Sequence, residues 1–191
     1  MDEIEIIQKV KSGDLQAFEL LFERYKAKAI RTVYLMTGNP HTTEDIVQEA
    51  FTTCYLSLHT LKQPQYFKTW FFKLLTRIAW RTMKKERGLV PIETINELVE
   101  ITHLQEGNRL NEIDQATQAD FIYSQILKLD YKLQTTLILY YYNELTIKEI
   151  AKVMGCLEGT VKSRLHTGRK QLKLHLTQQD EGYESKEAYG V

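Results

Sequence analysis

Leu145-Thr146-Ile147-Lys148-Glu149-Ile150-Ala151-Lys152-Val153-Met154-Gly155-Cys156-Leu157-Glu158-Gly159-Thr160-Val161-Lys162-Ser163-Arg164-Leu165 decides the fold of this 191-residue chain. Thr146 and Glu149 stand at capping-box spacing, the hydroxyl able to accept from the Glu149 N–H while the carboxylate returns to the Thr146 N–H. A short helix starts there and buries Ile150, Ala151 and Met154. Gly155 falls where a tight turn needs positive φ, and Glu158-Gly159-Thr160-Val161 opens the next helix. At 100° per residue, Val161, Leu165, Leu172 and Leu176 form its buried stripe. Ser163, His166, Thr167 and Lys170 point away, with Lys162 and Arg169 on one shoulder and Arg164 on the other. The pattern predicts a helix-turn-helix. A plain αα-hairpin would share the glycine, but residues 162–173 carry Lys162, Arg164, Arg169, Lys170 and Lys173 with no acidic residue. That outer face suits a major groove, with hydroxyl, imidazole and ammonium groups for base edges and cations for phosphates.

Upstream of this motif, a helix over about Phe67–Lys85 sets Lys73, Arg77, Arg81 and Lys84 on one face, opposite Phe71, Leu75, Ile78 and Thr82. Trp70 and Trp80 fall on the basic side, and Tyr66 and Phe67 lie at its start. Two readings stay open for each tryptophan. It packs in a core, or it stacks on a base that has left the duplex while the cations hold phosphates. A helix from near Thr43 buries Val47, Ala50, Phe51, Cys54 and Leu58 and leaves Asp45, Gln48, Glu49 and Thr52 outside, either as solvated surface or as a protein-docking face. Before it, Phe18, Leu21, Phe22, Tyr25, Ala29 and Val33 form the one buried stripe of a helix from Asp14 to Met36, ended by Gly38-Asn39-Pro40.

No alternating strand pattern occurs, so the chain is expected to be all-α. It divides into an N-terminal helical domain over 1–87, an acidic linker over 88–118, a C-terminal helix-turn-helix domain over 119–176 and a flexible tail over 177–191. Charge follows the division. The total is zero, with 25 basic and 25 acidic side chains, but residues 1–61 carry −3, 62–85 carry +7, 86–118 carry −5, 119–176 carry +4 and 177–191 carry −3.

At 43% hydrophobic residues and three prolines, the composition excludes a disordered or low-complexity chain. Two distant cysteines, Cys54 and Cys156, exclude a disulfide scaffold and are expected as small buried residues in a reducing compartment. The start Met1-Asp2-Glu3 is acidic, where a leader is expected to open with a basic region before an apolar core, and no apolar run approaches the roughly 18 residues of a membrane span. A cytoplasmic protein is expected. Glu44, Asp45 and Glu49 alone make no metal site, the one Glu-x-x-His pair is Glu100 and His103, and no phosphate loop, G-x-S-x-G elbow or H-E-x-x-H motif occurs. The expectation is therefore a non-enzyme without metal or cofactor.

These motifs together resemble the small two-domain, extracytoplasmic-function sigma factors of bacterial RNA polymerase, over roughly residues 10–175. Gly13-Asp14 with Ala17-Phe18 resembles the family's opening. Glu44-Asp45-Ile46-Val47-Gln48-Glu49-Ala50-Phe51 resembles its most recognisable motif, and Phe67-Lys68-Thr69-Trp70-Phe71-Phe72-Lys73 the next. Ile147-Lys148-Glu149-Ile150-Ala151 with Gly159-Thr160-Val161-Lys162-Ser163-Arg164-Leu165 resembles the last. The resemblance implies docking of Asp45, Ile46, Gln48, Glu49 and Thr52 on the clamp helices of the polymerase's largest subunit. It implies recognition and melting of a downstream promoter element by Tyr66, Phe67, Lys68, Trp70, Lys73, Arg77, Trp80, Arg81 and Lys84. An upstream element would be read as duplex by Thr160, Lys162, Ser163, Arg164, His166, Thr167, Arg169 and Lys170, the linker would thread toward the active channel, and an anti-sigma protein would be a partner.

Three positions depart from the family pattern. Arg77 and Arg81 stand where Asn and Asp are common, and Thr167 where Arg is frequent, which removes a guanine contact of about 1–3 kcal/mol. Two other readings remain: a stand-alone helix-turn-helix regulator whose N-terminal bundle senses or dimerises, and a helical metalloenzyme using Glu44, Asp45 and Glu49.

Overall fold

The computed structural model describes residues 1–86 and 118–187, and among these every regular element is helical. Most of the acidic stretch that the sequence marks as a linker, and the last four residues, lie outside the described residues.

The N-terminal group holds α1 (Glu3–Lys11), α2 (Leu15–Thr37), α3 (Pro40–Ser57) and α4 (Phe67–Glu86). Local chemistry sets each boundary. Asp14 accepts from the Ala17 N–H at 3.0 Å to start α2, and Gly38 at φ 69° ends it in the left-handed region. Asn39 then caps α3, accepting from Thr42, with Pro40 in the first helical position where no N–H is needed. The helix α1 was not anticipated: its apolar Ile6, Ile7 and Val10 are buried, but nine residues flanked by charge give little periodic signal.

An aromatic cluster holds this group together. Phe71 is wholly buried, with ring centroids 5.0 Å from Phe51, 5.4 Å from Tyr25, 5.7 Å from Phe67 and 5.8 Å from Phe72. Tyr25 also ties α1 to the cluster by donating to Glu3 Oε2 at 2.9 Å. Burial, then the Glu3 charge, pushes its phenol far above the usual range. Cys54 is buried as expected, its thiol pushed up to about 12 by desolvation. Cys156 is only half-buried, with Arg164 Nη1 3.7 Å from its sulfur.

The C-terminal group comprises α5 (Gln118–Leu127), α6 (Tyr131–Leu137), one π-helical turn over Ile138–Tyr142, α7 (Ile147–Met154) and α8 (Glu158–Glu187). Both halves of the Thr146–Glu149 capping box form, Gly155 closes α7 at φ 63°, and α8 opens at Glu158. Val161 and Leu165 are buried, while Leu172 and Leu176 are half-buried. The α8 backbone continues past Leu176 to Glu187, into the stretch read from sequence as a tail.

Gly168 faces the core on α8, where an added Cβ would lie 3.1 Å from Leu137 Cδ1 and 3.2 Å from its Cγ. Gly168→Val should therefore destabilise the chain by about 1–3 kcal/mol through overpacking. Gly168→Ala should stay near neutral, because the gain in helix propensity of about 1 kcal/mol offsets a shift of Leu137. Thermal unfolding of the two variants separates these outcomes.

The two groups pack against each other through polar bonds. Asn143 Nδ2 donates to Thr32 Oγ1 at 2.8 Å and Gln134 Nε2 to the Leu35 carbonyl at 2.8 Å, all three side chains being buried. The Tyr123 hydroxyl donates to the Tyr34 carbonyl at 2.8 Å while the two rings stack. Trp80 Nε1 donates to Thr135 Oγ1 at 3.1 Å, and the Thr69 hydroxyl to Glu149 Oε1 at 3.1 Å. Helices α4 and α7 lie side by side in this arrangement.

Candidate binding surfaces

Along α2 and α3 runs an open groove of about 560 Å³, lined mainly by Leu15, Phe18, Phe22, Val47, Phe51 and Tyr55. Edge-on ring pairs shape its floor, Phe18 against Tyr55 at 4.9 Å and Phe22 against Phe51 at 4.6 Å. Gln48 and Thr52 stand on its wall. Asp45 is exposed on the same helix, and Glu49 is half-exposed and paired with Arg81 of α4. Ile46 is 1% exposed and packs in the core, so its side chain offers nothing to a partner in this arrangement. An apolar groove with a polar rim can bury a helical partner's side chains while the rim fixes orientation.

The basic face of α4 is only partly open. Lys73, Arg77 and Arg81 are exposed, whereas Lys68, Trp70 and Lys84 are half-buried. Phe67 is fully buried in the aromatic cluster and unavailable for stacking. Tyr66 is exposed, but Lys152 of α7 sits 5.0 Å over its ring. Trp80 is held by Thr135 and lies edge-on to Tyr131 at 5.4 Å. Desolvation, then the charge of Lys132 across the contact, lowers the Lys84 pKa.

On α8 the face expected to meet DNA stands clear. Lys162, Ser163, His166, Arg169 and Lys170 are exposed, and Thr160, Arg164 and Thr167 are half-buried on its flanks. Among the described residues no three His, Cys, Asp or Glu side chains gather as a metal site, and no helix is long and apolar enough to cross a membrane.

Two family models match the chain, Sigma-70 region 2 over residues 21–88 and Sigma-70 region 4 over residues 122–172. The ECF RNA polymerase sigma factor SigW of Bacillus subtilis is 31% identical over 180 residues, covering 89% of this chain and 94% of the relative. The chain is an extracytoplasmic-function sigma factor. The ECF RNA polymerase sigma-E factor of Escherichia coli K12 is 27% identical over 176 residues, 87% of this chain and 90% of the relative. Two solved structures share the fold: CnrH in complex with the cytosolic domain of CnrY, at TM-score 0.67 and 16% identity over 92% of this chain and 97% of that one, and the sigma factor RpoE in complex with the anti-sigma factor NepR from Bartonella quintana, at 0.65 and 19% over 85% and 98%.

As a sigma factor, the protein is a transcription initiation factor and not an enzyme. The region 2 match spans most of α2 and all of α3 and α4, hence the greater part of the groove and the basic helix. The region 4 match spans α6, α7, most of α5 and α8 as far as Leu172.

Sequence reasoning assigned Phe18 and Phe22 to a buried stripe, whereas the sigma factor leaves both half-exposed in the groove. A signal was present: Leu15, Leu20 and Ile30 are also apolar and exposed, so apolar residues on α2 exceed one stripe. Glu49 and Arg81, expected on separate partner faces, are paired with each other.

The Glu149 carboxylate accepts three hydrogen bonds at once. Burial pushes its carboxyl up, but the Thr146 N–H at 2.9 Å, the Thr146 and Thr69 hydroxyls and the Lys68 charge outweigh that and hold it below the ordinary glutamate value. A carboxyl with a depressed folded-state pKa contributes stability that is present above its unfolded value and is lost as pH falls through the folded one. The stability gap between the sigma factor and its Glu149→Gln variant should therefore close on acidification below the ordinary glutamate range. Urea unfolding at a series of pH values reads this; a gap constant with pH would assign Glu149 no ionic role.

Proposed function

We propose that the groove between α2 and α3, with Gln48 and Thr52 on its wall and Asp45 exposed on α3, docks this sigma factor on the clamp helices of the largest subunit of core RNA polymerase. The α8 face reads an upstream promoter element as duplex, and α4 with the segment before it recognises and melts a downstream element. The observation that carries this reading is the separation of two surfaces of different character: an open apolar groove rimmed by Glu44, Lys26, Gln48 and Thr52, and an α8 face of exposed cations with no carboxylate from 162 to 173. In this reading Trp80 exchanges Thr135 for promoter DNA, so the two helical groups separate when the downstream element binds. An anti-sigma protein is a further partner, supported by the relatedness to a family in which RpoE is complexed with NepR, and the site of action is the cytoplasm, where the polymerase works.

The test is transcription in vitro on genomic fragments, with core polymerase alone and with this protein. Starts that depend on the protein and share two spaced upstream motifs support the proposal. No new starts, together with tight duplex binding by the isolated protein, would make it a stand-alone regulator.

A further inference from the structure

Arg169 stands on the exposed shoulder of α8, and among the described residues it forms no ion pair. Its guanidinium carbon lies 5.6 Å from the Tyr140 ring centroid and 5.4 Å from that of Tyr141. The two rings meet edge to face, 5.0 Å apart at 82°, and so form the two walls of a seat. Backbone geometry makes the seat possible. Tyr140 and Tyr141 lie in the π-helical turn, where the Asn143 N–H reaches back five residues to the Ile138 carbonyl at 3.1 Å. The added residue per turn lets two consecutive side chains border one cation. Tyr141 is 59% exposed, yet its apolar surface has no core to fill.

We propose that Tyr140 and Tyr141 are positioning residues that hold Arg169 as a preset phosphate clamp beside the upstream-reading face. An unrestrained arginine side chain must lose its rotamer freedom when it grips a phosphate, and a guanidinium already stacked on aromatic faces keeps its N–H edges free while that freedom is spent beforehand. The ligand is one duplex phosphate, so the seat adds affinity without reading sequence. The proposal rests on the reading of α8 as the upstream DNA-binding helix.

The experiment uses holoenzyme reconstituted from core polymerase and full-length protein, bound to a labelled duplex of a promoter mapped by transcription in vitro, over a series of KCl concentrations. Tyr141→Leu should weaken binding about two- to tenfold, the cost of ordering one arginine side chain that the ring no longer holds in advance. Arg169→Ala should weaken it at least as much and lower the slope of log affinity against log salt by about 0.9. Tyr141→Phe, which keeps the ring, should bind as the unsubstituted protein does, and Tyr141→Leu should add nothing in the Arg169→Ala background. Losses that multiply in the double variant, or a Tyr141→Phe protein as weak as Tyr141→Leu, would overturn the proposal, because the tyrosine would then act on DNA by itself. Failure of the unsubstituted holoenzyme to initiate at all would remove the upstream-binding reading and this proposal with it. Normal initiation with unchanged variants would remove this proposal alone.

Discussion

Phe71→Ala is expected to lose about 3–5 kcal/mol of folding stability, the largest effect of any single substitution named here. The side chain has no exposed surface and meets four other aromatic rings, from α2, α3 and α4 itself, within 5.8 Å. Removing the ring strips apolar burial and leaves a cavity whose walls, themselves rigid rings, collapse poorly. Against a total of about 5–15 kcal/mol for a domain, such a loss leaves a large unfolded fraction at moderate temperature. Equilibrium urea unfolding measures it. Phe71→Leu, which keeps most of the volume, should recover more than half; a loss under about 1 kcal/mol for the alanine variant would mean that the cluster repacks freely.

Tyr55→Glu should reduce affinity for core polymerase by about thirtyfold or more while leaving the fold intact. Aromatic anchors near the centre of an interface commonly contribute at least about 2 kcal/mol, and a carboxylate placed there must be desolvated without a partner. Tyr55 is 42% exposed and rests on Phe18 across the groove, so the change touches the proposed docking surface more than the core. Asp45→Ala, at an exposed position of α3 outside the groove lining, should cost far less. Competition for core polymerase against a labelled reference sigma factor gives both values, with thermal unfolding as the control. Undiminished binding by Tyr55→Glu would move the docking site elsewhere on the surface.

Much of the fold was legible because its signals are local. A capping box, a glycine at the αL position and an apolar stripe lie within one or two turns of each other, and Thr146, Glu149, Gly155 and Val161 behave as their spacing requires. The groove was less legible because a phenylalanine at helical spacing looks the same whether a neighbouring helix covers it or not. Only the assembled α2 and α3 show that Phe18 and Phe22 have open space beside them. The contacts between the two helical groups left no trace in the sequence. Thr32, Gln134, Asn143 and Trp80 are among the residues that make them, polar or amphipathic and far apart in the chain, and no periodicity marks a threonine that will accept from an asparagine 111 positions away. The Arg169 seat was invisible for a related reason, since it depends on a π-helical turn that shifts the register by one residue.

The carboxylate of Glu149 sets a rule for building chimeras. One of its oxygens completes the cap of α7 and the other accepts from Thr69 on α4, 80 residues earlier. A transplanted C-terminal half that carries the same Thr–Glu pair would start its helix correctly. The docking bond, however, has its donor in the half left behind. Grafts that keep a hydroxyl at position 69 retain the junction, and grafts into a Thr69→Val background join two well-folded halves that no longer share that bond.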